Sequence, residues 1–319
     1  MLVITNQEIQ QHVGAAVVID AVEKAFAAFG RGESKVFPVA RGSGSDPCHI
    51  TAIKSGFDAS TGFMGVKAAS YNPGNRARGL ASHTSTTLLI DDVTAEVVAV
   101  VEAGYLNGLR TAAADAIAVK YLARPDAHRL GIIGLGAQAV FEIEAVAAVR
   151  PIDTVYAARR AGADTDRFAQ AVRERTGLIV EFRDVEDLAR QADIIVTATP
   201  ATSPVLRDEW IRPGTHVSAM GSDNVGKMEL PVELVARSLF YMDYPEQSAV
   251  IGEAQHLLAA GQATLADLRR RSLGDLICAT VSGRSSADDI TVFDSSGIAI
   301  QDIAAAHAAM TIVRSVRSA

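Results

Sequence analysis

Four segments of the chain carry residues whose types and spacing suit chemistry. The first is Gly134-Leu135-Gly136-Ala137-Gln138-Ala139, a G-x-G-x-x-A turn directly after an apolar run at 130–133. Gly134 permits a tight turn. Gly136 has no Cβ to hold a pyrophosphate off the backbone, and Ala139 lets the next helix pack closely on the strand. The free N–H groups and positive dipole end of that helix favour phosphate, so the turn suits a dinucleotide. About twenty residues on, where NAD-binding proteins usually place an acid for the ribose hydroxyls, the sequence reads Ala157-Ala158-Arg159-Arg160. Arg159 can accept a 2′-phosphate, which favours NADP. It can equally stack on the adenine of plain NAD or stay in solvent.

The second segment is Gly65-Val66-Lys67-Ala68. Lysine is scarce here, six residues against 24 arginines. A lysine within a mainly apolar strand faces either solvent or an enclosed site, and enclosure would lower its pKa and suit it to proton transfer. The third is Leu109-Arg110-Thr111 at a helix start, where the dipole disfavours a cation and a bound anion would offset that cost. Arginine's planar fork holds a carboxylate or phosphate with two parallel bonds. The fourth is Gly221-Ser222-Asp223, in the loop after an apolar strand at 216–220. Loops at the carboxyl ends of parallel strands are where ligands bind. Plain readings stand beside these: a solvent-facing lysine, a first-turn arginine, a surface-turn aspartate.

The elements that must position these residues follow from hydrophobic spacing. In the first third, 9–29 has helical periodicity. A Gly/Ser/Pro-rich stretch at 41–47 follows, and then strands at 63–70, 85–90 and 94–101. From 109–122, an Ala-rich helix, the rhythm changes. Short apolar strands at 130–133, 154–158, 179–182, 194–198, 216–220 and 239–242 alternate with helices, the pattern of βαβ units and a parallel sheet. A long Ala-rich helix closes the chain at 298–316. The expected fold class is α/β: a Rossmann-type parallel-sheet domain at 116–297, plus an α+β domain built from 1–115 and 298–319.

Composition narrows the function classes. The 319 residues are 49% hydrophobic and 21% charged, ordinary for a soluble globular chain of about two domains. Thirty basic residues against 37 acidic ones leave a net charge of −7, and no basic run is present to bind nucleic acid. No apolar stretch approaches the roughly 20 residues of a membrane span, and the N-terminus is not a signal peptide. Two cysteines, Cys48 and Cys278, make neither a disulfide framework nor a cysteine zinc site, and they suit a reducing cytoplasm. Cys48 reads as a buried small residue rather than a nucleophile.

Together the motifs resemble the ornithine cyclodeaminase/mu-crystallin family over most of the chain. The segments that match it are Gly65-Val66-Lys67, Gly79-Leu80 with Ser82-His83, and Leu109-Arg110-Thr111-Ala112-Ala113. Beyond these come Gly134-x-Gly136-Ala137-Gln138, Gly221-Ser222-Asp223 through Gly226-Lys227-x-Glu229-Leu230, and Phe293-Asp294-Ser295-x-Gly297. The resemblance implies a homodimer with a substrate and dimerisation domain and a Rossmann domain. It implies an oxidoreductase acting at a carbon that bears an amino or imino nitrogen next to a carboxylate. By position it implies that Arg41, Lys67 and Arg110 hold the substrate carboxylate, that Lys67 polarises or protonates, and that Asp223, as a buried carboxyl, is the acid/base near the nitrogen. It adds His83 and Ser296 on the substrate side. On the cofactor side it gives Ser82, Arg110, Thr111, Gly134, Gly136, Ala137, Gln138, Thr197, Val217, Ser218, Ala219, Met220, Lys227 and Ser295, to which the reading of the second strand's end adds Arg159. NAD(H) is the implied cofactor, with NADP(H) open because of Arg159, and no metal is called for.

Two departures bear on the substrate. Ornithine cyclodeaminases have an acid where this chain has Arg159, and a Glu on the strand before the lysine motif. The comparable strand here, 49–54, ends in Lys54. With no acid in view, Arg41, Lys54, Lys67, Arg110 and His83 would make a strongly cationic pocket that suits a dicarboxylate better than a diamine. The expectation is reduction of iminosuccinate to L-aspartate. Reduction of a monocarboxylic or cyclic imine, as by alanine dehydrogenase or pyrroline-2-carboxylate reductase, remains open. So do cyclodeamination of ornithine and a mu-crystallin-like binding role without turnover.

Overall fold

The computed structural model describes residues 1–158 and 162–318. It divides into two units, Met1–Arg110 with Ile298–Ala319, and Thr111–Gly297. The division falls inside the helix Gly104–Leu122.

The first unit is a mixed sheet of β1 (Leu2–Ile4), β2 (Lys35–Val36), β3 (Ala40–Ser43), β4 (Ile50–Asp58), β5 (Phe63–Tyr71), β6 (His83–Asp91) and β7 (Val97–Glu102). The order is β1-β7-β6-β5-β4-β2, with β3 also on β4. β1 runs parallel to β7 and the remaining pairs are antiparallel. Along β6, Ser85, Thr87 and Leu89 are buried while Thr84 and Thr86 are exposed, the period-two signature of a sheet with one covered face. Helices Ala15–Gly30 and Ala299–Ser318 supply that cover.

The helical stretch expected over 9–29 is two helices, Asn6–His12 and Ala15–Gly30. Gly14 sits between them as an extended N-cap, a conformation glycine adopts at little cost. Asn6–His12 opens with a reciprocal Thr5–Glu8 capping box. Cys48, expected to be buried, is exposed: it stands at the end of the polar stretch between β3 and β4, where nothing apolar covers it.

The second unit is an all-parallel sheet of β8 (Arg129–Ile133), β9 (Thr154–Ala158), β10 (Val180–Arg183), β11 (Ile194–Thr197), β12 (His216–Ala219), β13 (Leu239–Met242) and β14 (Thr291–Asp294). Their order is β10-β9-β8-β11-β12-β14-β13. Helices on both faces bury the central strands completely, which is why they read as apolar runs without alternation. β14 had no such run to announce it. The order reverses between β8 and β11, and in such sheets ligands bind in the crevice at the carboxyl ends there. The chain is therefore α/β, with one Rossmann-type parallel sheet and one mixed-sheet unit. Among the described residues, no helix is long and apolar enough to cross a membrane.

Candidate functional site

In the first unit, strand register gathers the cations. Arg41 stands opposite Ala52, Lys54 opposite Lys67, and Lys67 opposite Thr87. Directly opposed residues share a face and so do residues two apart, so Arg41, Lys54, Lys67, Ser85 and Thr87 lie on one face. His83, opposite Tyr71, lies on it too. Arg41 and His83 are exposed and Lys54 is half-buried. Lys54 is not at a strand end, as 49–54 suggested. β4 continues to Asp58, so Lys54 occupies its middle.

Lys67 is 3% exposed, and its Nζ donates to Oδ1 of Asp302 at 2.8 Å and to Oδ1 of Asn107 at 3.3 Å. Arg110 reaches the same Asp302 oxygen through Nε at 3.0 Å. Its Nη1 donates to Oε1 of Gln301 at 3.0 Å and its Nη2 to Oδ1 of Asn107 at 2.6 Å. These bonds leave one N–H on each terminal nitrogen of Arg110 for a further acceptor. Burial, reinforced by Arg110 and Lys54 and opposed by Asp302, pulls Lys67 down to about 7. Burial would raise Asp302, but Lys67 and Arg110 outweigh it and hold the carboxyl below its ordinary value.

Asp302 corrects the reading of a purely cationic pocket. It lies in the first turn of Ala299–Ser318, whose alanine content drew attention away from the one acid on its buried face. Four buried atoms of this cluster make no hydrogen bond within the chain: Oδ2 of Asp302, Nε2 of Gln301, Oγ of Ser85 and Oγ1 of Thr87. Buried polar atoms in native proteins rarely go without a partner, so this group of donors and acceptors around two cations suits a small polar anion.

In the second unit, the glycine turn joins β8 to the helix Ala137–Val149. Gly134 has φ +111°, and a Cβ there would meet the Ala198 carbonyl at 2.5 Å, so only glycine fits this turn. At Gly136 nothing lies within 4 Å of where a Cβ would stand. That open cradle at a helix N-terminus fits a pyrophosphate. Ala137 is exposed, Ala139 is fully buried, and Gln138 donates to Glu142 at 2.7 Å. Thr111 is half-buried near the start of this unit, and Ser82, in the first unit, is half-buried beside β6. Arg159 lies outside the described residues.

The remaining expected residues divide by depth. Val217, Ser218 and Ala219 are fully buried within β12, and Met220 follows its end. Thr197, at the end of β11, donates its hydroxyl to Glu229 at 2.9 Å. The hydroxyls of Ser295 and Ser296 are engaged by Asp243, at 3.3 and 2.8 Å. Asp223, expected to be a buried carboxyl, has a side chain 60% exposed and paired with Lys227 at 2.5 Å. It stands on a loop beyond the sheet, where the strand's apolar cover has ended. The buried acids at this end are Glu229, Glu253, Asp243 and Asp294. Glu229 and Asp294 lie within the quoted motifs, but nothing in their spacing marked them as buried.

The ornithine cyclodeaminase/mu-crystallin family model matches residues 1–315. The chain is 37% identical over 314 residues to the iminosuccinate reductase of Paracoccus denitrificans, covering 98% of this chain and 97% of that one. The solved structure of that reductase with NAD+ superposes with a TM-score of 0.94 at 36% identity, over 99% of this chain and 97% of that one. An archaeal alanine dehydrogenase dimer with bound NAD gives 0.92 at 32% identity, over 99% and 97%. The Δ1-pyrroline-2-carboxylate reductase of Thermococcus litoralis, with NADH and L-proline, gives 0.93 at 27% identity, over 99% and 98%.

Proposed function

The chain belongs to the ornithine cyclodeaminase/mu-crystallin family, and from that premise we propose that it is an NAD(P)-dependent oxidoreductase that reduces a small imino acid, iminosuccinate, to L-aspartate. The observation that carries the choice of substrate is the direct opposition of Lys54 and Lys67 on one sheet face. Like charges directly opposed across a sheet are destabilising. One carboxylate, Asp302, already serves Lys67 and Arg110 directly and is drawn on by Lys54 as well. A dicarboxylate brings two more, one for Lys67 and Arg110 and one for Lys54.

In this reading the first unit binds substrate and forms a homodimer, and the second holds the dinucleotide. When bound, the reduced nicotinamide supplies the hydride. The residues of the chain do the rest. Gly134, Gly136 and the N–H groups of the helix that starts at Ala137 hold the pyrophosphate. Arg41, Lys67 and Arg110 hold the α-carboxylate and fix the face of the C=N carbon that reacts. Lys67, with a pKa drawn to about 7, keeps a proton available beside the substrate. Asp223 serves the substrate nitrogen as acid/base, with Lys227 orienting its carboxylate. NAD(H) is the favoured cofactor, since two of the relatives above hold NAD and a third NADH. A reducing cytoplasm suits a chain with only two cysteines.

The test is cofactor absorbance with purified protein, NADH or NADPH, ammonia, and oxaloacetate, pyruvate or glyoxylate. Ammonia-dependent oxidation that is fast with oxaloacetate and slow with pyruvate supports the reading. The reverse order overturns the dicarboxylate. Cyclodeamination is the second reading. Oδ2 of Asp302, buried without a partner, is the observation that favours it, because a diamine's ammonium would pair there. Ammonia release from ornithine without net NAD consumption would put it first.

A further inference from the structure

Glu229 is fully buried, and no cation faces its carboxylate within the four hydrogen bonds it accepts. Oε1 takes the Thr199 N–H and the Thr199 hydroxyl, each at 2.7 Å. Oε2 takes the Thr197 hydroxyl at 2.9 Å and the Gly221 N–H at 2.7 Å. One side chain thus ties the end of β11 to the turn after β12. At Gly221 the chain passes so close that a Cβ would meet the Thr199 carbonyl at 2.1 Å and the Glu229 carboxyl at 2.7 Å. The loop beyond is pinned again: Ser222 donates to Glu253, and the Gly226 N–H donates to Gln255 at 2.9 Å. Asp223 and Lys227 project from this segment.

We propose that Glu229 is a positioning residue for the second mononucleotide half of the dinucleotide site, a clamp that holds the ends of β11 and β12 and the 221–227 loop in the geometry that binds the cofactor. The proposal rests on reading the second unit as dinucleotide-binding. In sheets of this order the glycine turn after the first strand takes the pyrophosphate, and the fourth and fifth strands border the other mononucleotide.

The chemistry requires a carboxylate. The two Thr hydroxyls can rotate, but the Thr199 and Gly221 N–H groups cannot. An amide or a protonated carboxyl offers one acceptor oxygen and turns a hydrogen toward one of those two donors. One grip is then lost. Burial pushes Glu229 up to about 7 against these four bonds, so the clamp is complete above neutrality. The charged groups around it are Glu253, whose carboxylate accepts the Glu229 N–H at 2.7 Å, and Asp223 and Lys227 on the loop.

The test is NADH affinity of the full chain, read by fluorescence titration across neutrality, for wild type, Glu229→Gln and Thr199→Val. Wild-type affinity is expected to rise as pH passes about 7. Glu229→Gln is expected to bind about tenfold more weakly above neutrality, with no such rise. Thr199→Val keeps the backbone donor and the carboxylate, so it should lose less affinity and keep the pH dependence. It decides the matter if Glu229→Gln does not fold: a weakened but still pH-dependent affinity upholds the clamp, and unchanged affinity overturns it. A Glu229→Gln protein with wild-type affinity and pH profile also overturns the clamp. Absence of NADH and NADPH binding by wild type overturns the dinucleotide reading, and the clamp with it.

Discussion

Lys67 and Asp302 are 235 positions apart in the chain and 2.8 Å apart in space. The C-terminal helix returns to the first unit carrying the counter-charge for a strand lysine. Asp302 shares one oxygen between Lys67 and Arg110, so it fixes two cations that would otherwise repel each other. Asp302→Asn is expected to cost about 3 kcal/mol of stability, because removing one partner strands buried charge. Denaturant unfolding measures this. An unchanged midpoint would mean that the pair contributes nothing.

The pH profile of reduction should report Lys67. Burial first, and Arg110 second, lower its pKa to about 7. The group is charged below that value and neutral above it. Its charge holds the carboxylate, so kcat/KM for the imino acid should fall as pH rises through about 7. In the kcat profile the fall should come at higher pH, because a bound carboxylate favours the charged form. Asp302→Asn removes a charge that raises Lys67 and should move the kcat/KM limb lower. A limb unmoved by Asp302→Asn would assign it to another group.

Local signals in the sequence carried much of this far. The turn at Gly134 and Gly136 was legible because strand, glycines and helix follow within a few residues. Lys67 stood out as a cation in an apolar strand. Arg110 stood out as a cation expected at a helix start, but the helix begins at Gly104, so Arg110 lies in its second turn, where the dipole does not disfavour it. Asp302 did not stand out, since a single acid in an Ala-rich helix looks like a solvated position until the helix is seen buried on nearly every side over its first two turns. Lys54 was legible as a cation but not as the residue opposite Lys67, because antiparallel register depends on the turn between β4 and β5 rather than on either strand. Glu229 was written inside a recognised motif, yet its role depends on Thr197, Thr199 and Gly221 converging from two strand ends. The exposure of Asp223 likewise depends on where the sheet ends.

Lys54 offers the cleanest probe of substrate choice. Lys54→Glu places a carboxylate opposite Lys67, where the second carboxylate of a dicarboxylate is proposed to bind. Ammonia-dependent turnover with oxaloacetate should drop at least about tenfold, the loss expected for one charge-assisted contact. Turnover with pyruvate should change much less. Equal losses with both would place Lys54 near the shared α-carboxylate instead.

The proposed homodimer has a candidate surface. Register puts Ile53, Val66, Ala68, Leu88 and Val100 together on the sheet face turned away from the two covering helices, with Ile53 41% exposed. An open apolar sheet face of this kind suits association. Val66→Lys should shift the mass measured by light scattering from dimer to monomer. A variant that stays dimeric would put the interface elsewhere.

Gly134 and Gly136 should fail in different ways, although both belong to one motif. At Gly134 a side chain meets the Ala198 carbonyl and a backbone angle that L residues rarely adopt. Gly134→Ala is therefore expected to destabilise the fold by about 1–3 kcal/mol. At Gly136 the backbone is extended at φ −82° and ψ 175°, and the space around a Cβ is open. Gly136→Val should leave the melting temperature nearly unchanged. Its branched side chain would occupy the cradle where the pyrophosphate meets the helix N-terminus, so NADH affinity should fall by at least about tenfold, one or more lost contacts to a charged group. Melting curves and NADH titration on the two variants separate these outcomes. If Gly136→Val bound NADH as wild type does, the cradle would have no part in holding the cofactor.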